Sequence, residues 1–196
     1  MSRIIIFGDS IAWGAFDTES GGWAHRLRQQ YVAEYDDCEV YVLGITGNTS
    51  SDVLKRFDCE SGARNPDVVL FAIGINDSAI VKDKSWVSLE EFMQNINRLI
   101  AHAHEVGYEV GFIGLTRVNE ELTTPVQWDN NYHYENGLIK RYDERLKQIC
   151  EKEEVLYCDV STVIQNEDLF DGLHPNAKGH EKLFKVIEKF VSENFL

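Results

Sequence analysis

Three short polar blocks each follow an apolar run: Gly8-Asp9-Ser10 after Ile4-Ile5-Ile6-Phe7, Gly44-Ile45-Thr46-Gly47-Asn48-Thr49 after the second run, and Gly74-Ile75-Asn76-Asp77 after Val68 to Ile73. A fourth, Asp171-Gly172-Leu173-His174, precedes the last amphipathic stretch. Ser10, His174 and Asp171 are the residue types of nucleophilic acyl transfer. A hydroxyl attacks, an imidazole takes its proton and returns it to the leaving group, and a carboxylate fixes the imidazole tautomer. The three-residue spacing from Asp171 to His174 lets one turn present both. Attack on a carbonyl also needs donors for the oxygen that gains charge, each worth roughly 3 to 4 kcal/mol. The Ser10 N–H, the Asn76 amide and a glycine N–H at position 44 or 47 would supply three. A glycine suits this role because its backbone approaches a ligand with no Cβ in the way.

These blocks need a scaffold that carries them to one edge. Strand-like segments near 3–7, 39–43, 67–73, 109–115 and 155–158 alternate with helix-like ones near 22–35, 50–63, 88–106, 135–152 and 176–194. Near-continuous apolar strands between helices predict an α/β fold with a parallel sheet covered on both faces. Right-handed crossovers then favour a three-layer, doubly wound arrangement of five strands, which binds ligands beyond the carboxyl ends of its strands. The last helix shows its packing stripe in Leu183, Ile187, Phe190 and Val191. Pro175 suits the first turn of that helix, which puts His174 at or just before its start. The longest irregular stretch, Thr116 to Tyr134, is expected to hang over the same sheet edge as Ser10 and to shape a pocket.

Composition narrows the function. A chain of 196 residues with 43% hydrophobic content suits one domain over 1–196. A net charge of −14 disfavours nucleic acid and anionic bilayers as partners. No charged-then-apolar leader and no apolar run near the roughly 20 residues of a bilayer span is present, so a soluble, cytoplasmic protein is expected. The four cysteines, Cys38, Cys59, Cys150 and Cys158, have no metal-binding spacing and read as reduced thiols.

The serine block lacks the Gly-x-Ser-x-Gly elbow of α/β-hydrolases, because Ala12 takes the second glycine's place and the serine follows the first strand. In order and separation, however, the four blocks resemble those of the SGNH hydrolases, also called GDSL esterases and lipases. Ser10 in Gly-Asp-Ser-Ile, a glycine of the second block, Asn76 in Gly-Ile-Asn-Asp and His174 in Asp-Gly-Leu-His match the four letters over nearly the whole chain. The resemblance implies a flavodoxin-like α/β/α sandwich. It also implies an oxyanion hole from Ser10, glycine and Asn76, with Asp171 and His174 completing the triad. Gly47 is favoured over Gly44, since Thr46-Gly47-Asn48-Thr49 is similar to the family's Ser-Gly-Asp-Thr. Ile11 replaces the family's leucine without touching the chemistry. The expected activity is hydrolysis of short acyl esters or acetylated carbohydrate through an acyl-serine, with no metal or organic cofactor and a small ester as partner. Acyl transfer by the same nucleophile and a silent ligand-binding domain are the alternatives.

Other residues carry weaker signals. Trp13, Trp23, Trp86 and Trp128 lie in or beside loops after strands, where aromatic walls suit sugar rings or acyl chains. Trp13, Trp128 and His133 are the candidate substrate contacts. His102 and His104, two apart on a predicted helix, point in different directions and suit a solvated face better than a metal. His25 and His180 lack acidic partners at ligand spacing.

Overall fold

The computed structural model describes residues 2–35 and 37–196. In chain order the elements are β1 (Ser2–Gly8), α1 (Ser10–Trp13), α2 (Trp23–Glu34), β2 (Cys38–Gly44), α3 (Ser50–Gly62), β3 (Val68–Ala72), β4 (Ile80–Val81) and β5 (Lys84–Ser85). There follow α4 (Leu89–Val106), β6 (Glu109–Ile113), α5 (Glu120–Thr123), β7 (Tyr132–His133), α6 (Asn136–Lys152), β8 (Leu156–Cys158), a 3₁₀ turn at Asn166–Asp168 and α7 (Ala177–Asn194). The main sheet is parallel throughout, in the order β2-β1-β3-β6-β8. That order places a topological switch point between β1 and β3.

Alternation along the strands divides the core. Ile5 and Phe7 of β1, with Val69 and Phe71 of β3, face the layer of α3, α4 and α6, where they meet Phe57, Phe92, Leu99 and Leu146. Ile4, Ile6, Val68 and Leu70 face α2 and α7 and pack with Trp23, Leu27, Leu183 and Ile187. Both faces are buried, which is why these strands read as unbroken apolar runs.

Register aligns the functional edge. Gly8, the last residue of β1, pairs with Gly44 on one side and Ala72 on the other. The three polar blocks therefore leave the sheet at the same level.

Two expectations need correction. Pro175 precedes the cap of α7 rather than occupying its first turn: Asn176 is the N-cap and accepts from Lys178 N and Gly179 N. Pro175 instead forms a bridge with Leu169. The Thr116 to Tyr134 stretch is also more ordered than its sequence predicts. It contains α5, capped by Asn119, and β7, which pairs with β4 in a small antiparallel sheet completed by β5. Two-residue strands carry too little periodicity to register in sequence.

Candidate active site

Ser10 begins α1, one turn long, directly beyond the sheet edge. Asp9 caps that turn, accepting from Ile11 N at 2.8 Å, and Gly14 closes it in the left-handed conformation. Gly8 is needed for closeness rather than for an unusual turn: a Cβ there would lie 2.3 Å from the Ala12 Cβ. The elbow thus packs tightly onto the strand that feeds it.

His174 reaches Ser10 from the other end of the chain. Its Nε2 lies 2.9 Å from Ser10 Oγ, and its Nδ1 lies 2.8 Å from Asp171 Oδ2. The other carboxylate oxygen, Oδ1, accepts from Leu173 N at 3.0 Å and from His174 N at 2.8 Å. These backbone bonds orient the carboxylate before it meets the ring. Burial by itself would raise the Asp171 carboxyl, but the bonds from the His174 ring, its charge and the two backbone N–H groups outweigh burial and lower it. An ionised Asp171 holds the proton on Nδ1 and leaves Nε2 free to accept from Ser10.

The second and third blocks meet each other at the sheet edge that also carries the serine block. Asn76 Nδ2 donates to the Asn48 carbonyl at 2.9 Å, joining the Asn76 turn to the Gly47 loop. Arg56 of α3 ties the Gly47 loop to the ends of β1 and β2. Its Nε donates to Asn48 Oδ1 at 3.0 Å, and its Nη2 donates to the Leu43 carbonyl at 2.8 Å and the Gly8 carbonyl at 3.3 Å. Asp77 is fully buried and accepts from Ser50 N at 3.0 Å as well as from the Ser50 hydroxyl. Burial raises its carboxyl to about 7, and burial likewise raises Asp9 to about 6.

The two candidate glycines differ sharply. A Cβ on Gly44 would stand 2.3 Å from Trp13 N and 2.8 Å from the Asp9 carbonyl, so Gly44 serves the close approach of β2 to α1. Gly47 has φ +78°, and a Cβ there would meet only Trp86, at 4.0 Å. Its requirement is conformational, as expected of a loop that aims a backbone N–H.

Residues 6–182 match the GDSL-like lipase/acylhydrolase family. The chain belongs to that family. A GDSL esterase/lipase of Arabidopsis thaliana is 27% identical over 200 residues, covering 96% of this chain and 64% of its own length. An acetylxylan esterase of Geobacillus stearothermophilus is 26% identical, covering 91% of this chain and 88% of its own. The chain spans only 16% of a multidomain esterase of Ruminococcus flavefaciens, to which it is 31% identical. Among solved structures, a lipase/acylhydrolase from Enterococcus faecalis superposes with TM-score 0.79 at 24% identity, covering 98% of this chain and 96% of that one. At such identity the likeness concerns the fold, a three-layer α/β/α sandwich.

Around this GDSL site the aromatic residues are unevenly placed. The Trp128 ring, 53% exposed, lies 5.9 Å from His174. Phe16 lies 5.3 Å from His174 and stacks on Phe170 at 4.3 Å. Sequence reading overlooked both phenylalanines. Phe170 directly precedes Asp171, which was the available signal. Trp13 follows Ser10 on α1 and is largely exposed, while Trp23 is core. His133 is half-buried and paired with Ile80 in the small sheet; no hydrogen bond or ring contact joins it to the triad among the described residues.

The remaining histidines have structural partners or none. His102 Nδ1 lies 3.1 Å from Asp58 Oδ1 on a surface of α4. Buried His180 accepts from Trp23 N through Nδ1 and, through Nε2, donates to the Ala15 carbonyl. His25 Nδ1 is buried with no hydrogen-bond partner among the described residues. No group of three potential metal ligands occurs among the described residues, and no helix is long and apolar enough to cross a membrane.

Proposed function

We propose that the protein is a serine esterase that cleaves carboxylic esters through an acyl-Ser10 intermediate. The observation that carries this reading is the relay from Asp171 Oδ2 through His174 to Ser10 Oγ, with contacts of 2.8 and 2.9 Å. Ser10 donates its proton to Nε2 as Oγ attacks the carbonyl carbon. The resulting oxyanion is held by the N–H groups of Ser10 and Gly47 and by the Asn76 amide. His174 then protonates the departing alcohol, and a water activated by the same imidazole releases the acid.

The substrate reading is a short acyl group on an acetylated carbohydrate or similar alcohol. His174 serves the leaving oxygen, so Trp128, Phe16 and Phe170 beside it would line the alcohol side, where aromatic faces suit a sugar ring. Trp13 and His133 would act at a wider rim. The acetylxylan esterase relative supports this class. The four free cysteines, with Cys38, Cys150 and Cys158 buried, fit a reducing compartment such as the cytoplasm.

The test is an activity screen over acyl-length esters and acetylated sugars, run beside Ser10→Ala and a fluorophosphonate label. Activity and labelling should both vanish in the variant. Labelling of another serine, or ester cleavage that survives Ser10→Ala, rejects the nucleophile.

A further inference from the structure

The Thr116 to Tyr134 excursion ends inside the site. Tyr134 is 4% exposed, and its hydroxyl donates to Asn76 Oδ1 at 2.8 Å. On the amide's other side, Nδ2 donates to the Asn48 carbonyl at 2.9 Å. The carbonyl can only accept, so an amide turned over would set Oδ1 against it, two acceptors facing each other. One orientation therefore satisfies both neighbours. In it, Nδ2 gives one proton to Asn48 and keeps a second for another acceptor. Burial first, then the Asp9 charge, raises the Tyr134 hydroxyl, so it stays a donor.

Backbone structure delivers this hydroxyl. β7 pairs with β4, which follows the Asn76 turn by four residues, so the excursion is stitched to the block it serves. Tyr134 N donates to the Thr123 carbonyl at 2.9 Å, and Thr123 Oγ1 donates to the Tyr134 carbonyl at 2.8 Å. Arg56 fixes the opposite partner by holding the Asn48 side chain.

We propose that Tyr134 is a positioning residue that acts through Asn76, clamping its amide so that the second Nδ2 proton faces the oxyanion. This rests on the reading of Asn76 as an oxyanion donor. A donor aimed before the reaction costs no reorganisation when charge appears, whereas an amide free to rotate loses part of that stabilisation. The effect belongs to the transition state and not to substrate binding.

A double-mutant cycle on p-nitrophenyl acetate hydrolysis tests the idea, with Tyr134→Phe, Asn76→Ala and the double variant. Tyr134→Phe should lower kcat on the order of ten-fold with KM within about two-fold, and should cause no further loss once Asn76 is alanine. If Asn76→Ala leaves kcat unaltered, the oxyanion reading itself fails. If Asn76→Ala is impaired but Tyr134→Phe keeps the parent kcat, or lowers it equally in both backgrounds, the positioning role is overturned. Tyr134→Met, which also lacks the donor, must show the same selective loss. It decides the matter by the same criteria if the phenylalanine variant does not fold.

Discussion

Asp171→Asn should disable the site by reversing a tautomer while leaving its shape in place. Oδ1 accepts from two backbone N–H groups, Leu173 at 3.0 Å and His174 at 2.8 Å. Those donors select the amide oxygen for that position in the variant, so the NH₂ group takes the place of Oδ2 and points a donor at His174 Nδ1. Nδ1 must then accept, and the ring proton moves to Nε2, facing Ser10 with a hydrogen where a lone pair is required. A loss on the order of 10⁴ in kcat is expected, as for the same change in the chymotrypsin triad, or about 5.5 kcal/mol of barrier. Stability should fall less, by about 2 kcal/mol, the scale of one hydrogen bond to a charged group. Asp171→Ala should invert this ranking. It leaves two backbone N–H groups without their acceptor and so costs more stability, yet it presents no donor to Nδ1 and lets the productive tautomer form. Steady-state hydrolysis and thermal unfolding of both variants provide the assay. An asparagine variant within ten-fold of the parent kcat, or more active than the alanine variant, refutes the reasoning.

Three further outcomes are expected. Gly44→Ala should unfold the β2–α1 contact at a cost above about 3 kcal/mol, because its Cβ meets backbone on two sides; Gly47→Ala should fold with a loss of about 1 to 2 kcal/mol and a reduced kcat, and equal thermal stability of the two would contradict the assignment. Asp77 has its carboxyl raised by burial from 3.8 to about 7, so its contribution favours the folded state in acid and is lost as pH rises through that window. The stability difference should accordingly shift in favour of Asp77→Asn between those pH values and level off above them; urea titrations showing a flat difference would dismiss the shift. Thr116 Oγ1 is buried with no partner among the described residues, beside a cavity of about 30 Å³, so Thr116→Val should be neutral or stabilising by up to about 1 kcal/mol, and a loss above that in chemical denaturation counts against an unsatisfied hydroxyl.

The parts legible in sequence were those with strong local signatures. β1, β2 and β3 are apolar runs bounded by glycine blocks, and the five long helices carry clear stripes, so their limits fall within a residue or two of those observed. Ser10, Asp171 and His174 stand out because their chemistry is specific and their blocks sit at strand ends or before a helix. Arg56 offered no such signal: on α3 it reads as one more helix cation, and its bonds to Gly8, Leu43 and Asn48 arise only when the ends of β1 and β2 and the loop after β2 converge. At the end of the long excursion the sequence points to His133 as a substrate contact. The residue that reaches Asn76 is the neighbouring tyrosine, and only the pairing of β4 with β7 decides that.

That pairing also bears on how an acidic protein would hold the proposed oxyanion. Asp9 and Asp77 are buried carboxyls that burial raises, to about 6 and about 7, so surroundings of this kind disfavour added negative charge. A donor that moved freely would turn towards those carboxyls instead of the reacting oxygen. The proposed donors are two backbone N–H groups in tight turns and one amide held on both sides, by the Asn48 carbonyl and the Tyr134 hydroxyl. Fixed dipoles act over a short range and in one direction. In the proposed mechanism they hold a single oxygen against a background that is unfavourable on average, and the small β4–β5–β7 sheet would keep one of them still through Tyr134.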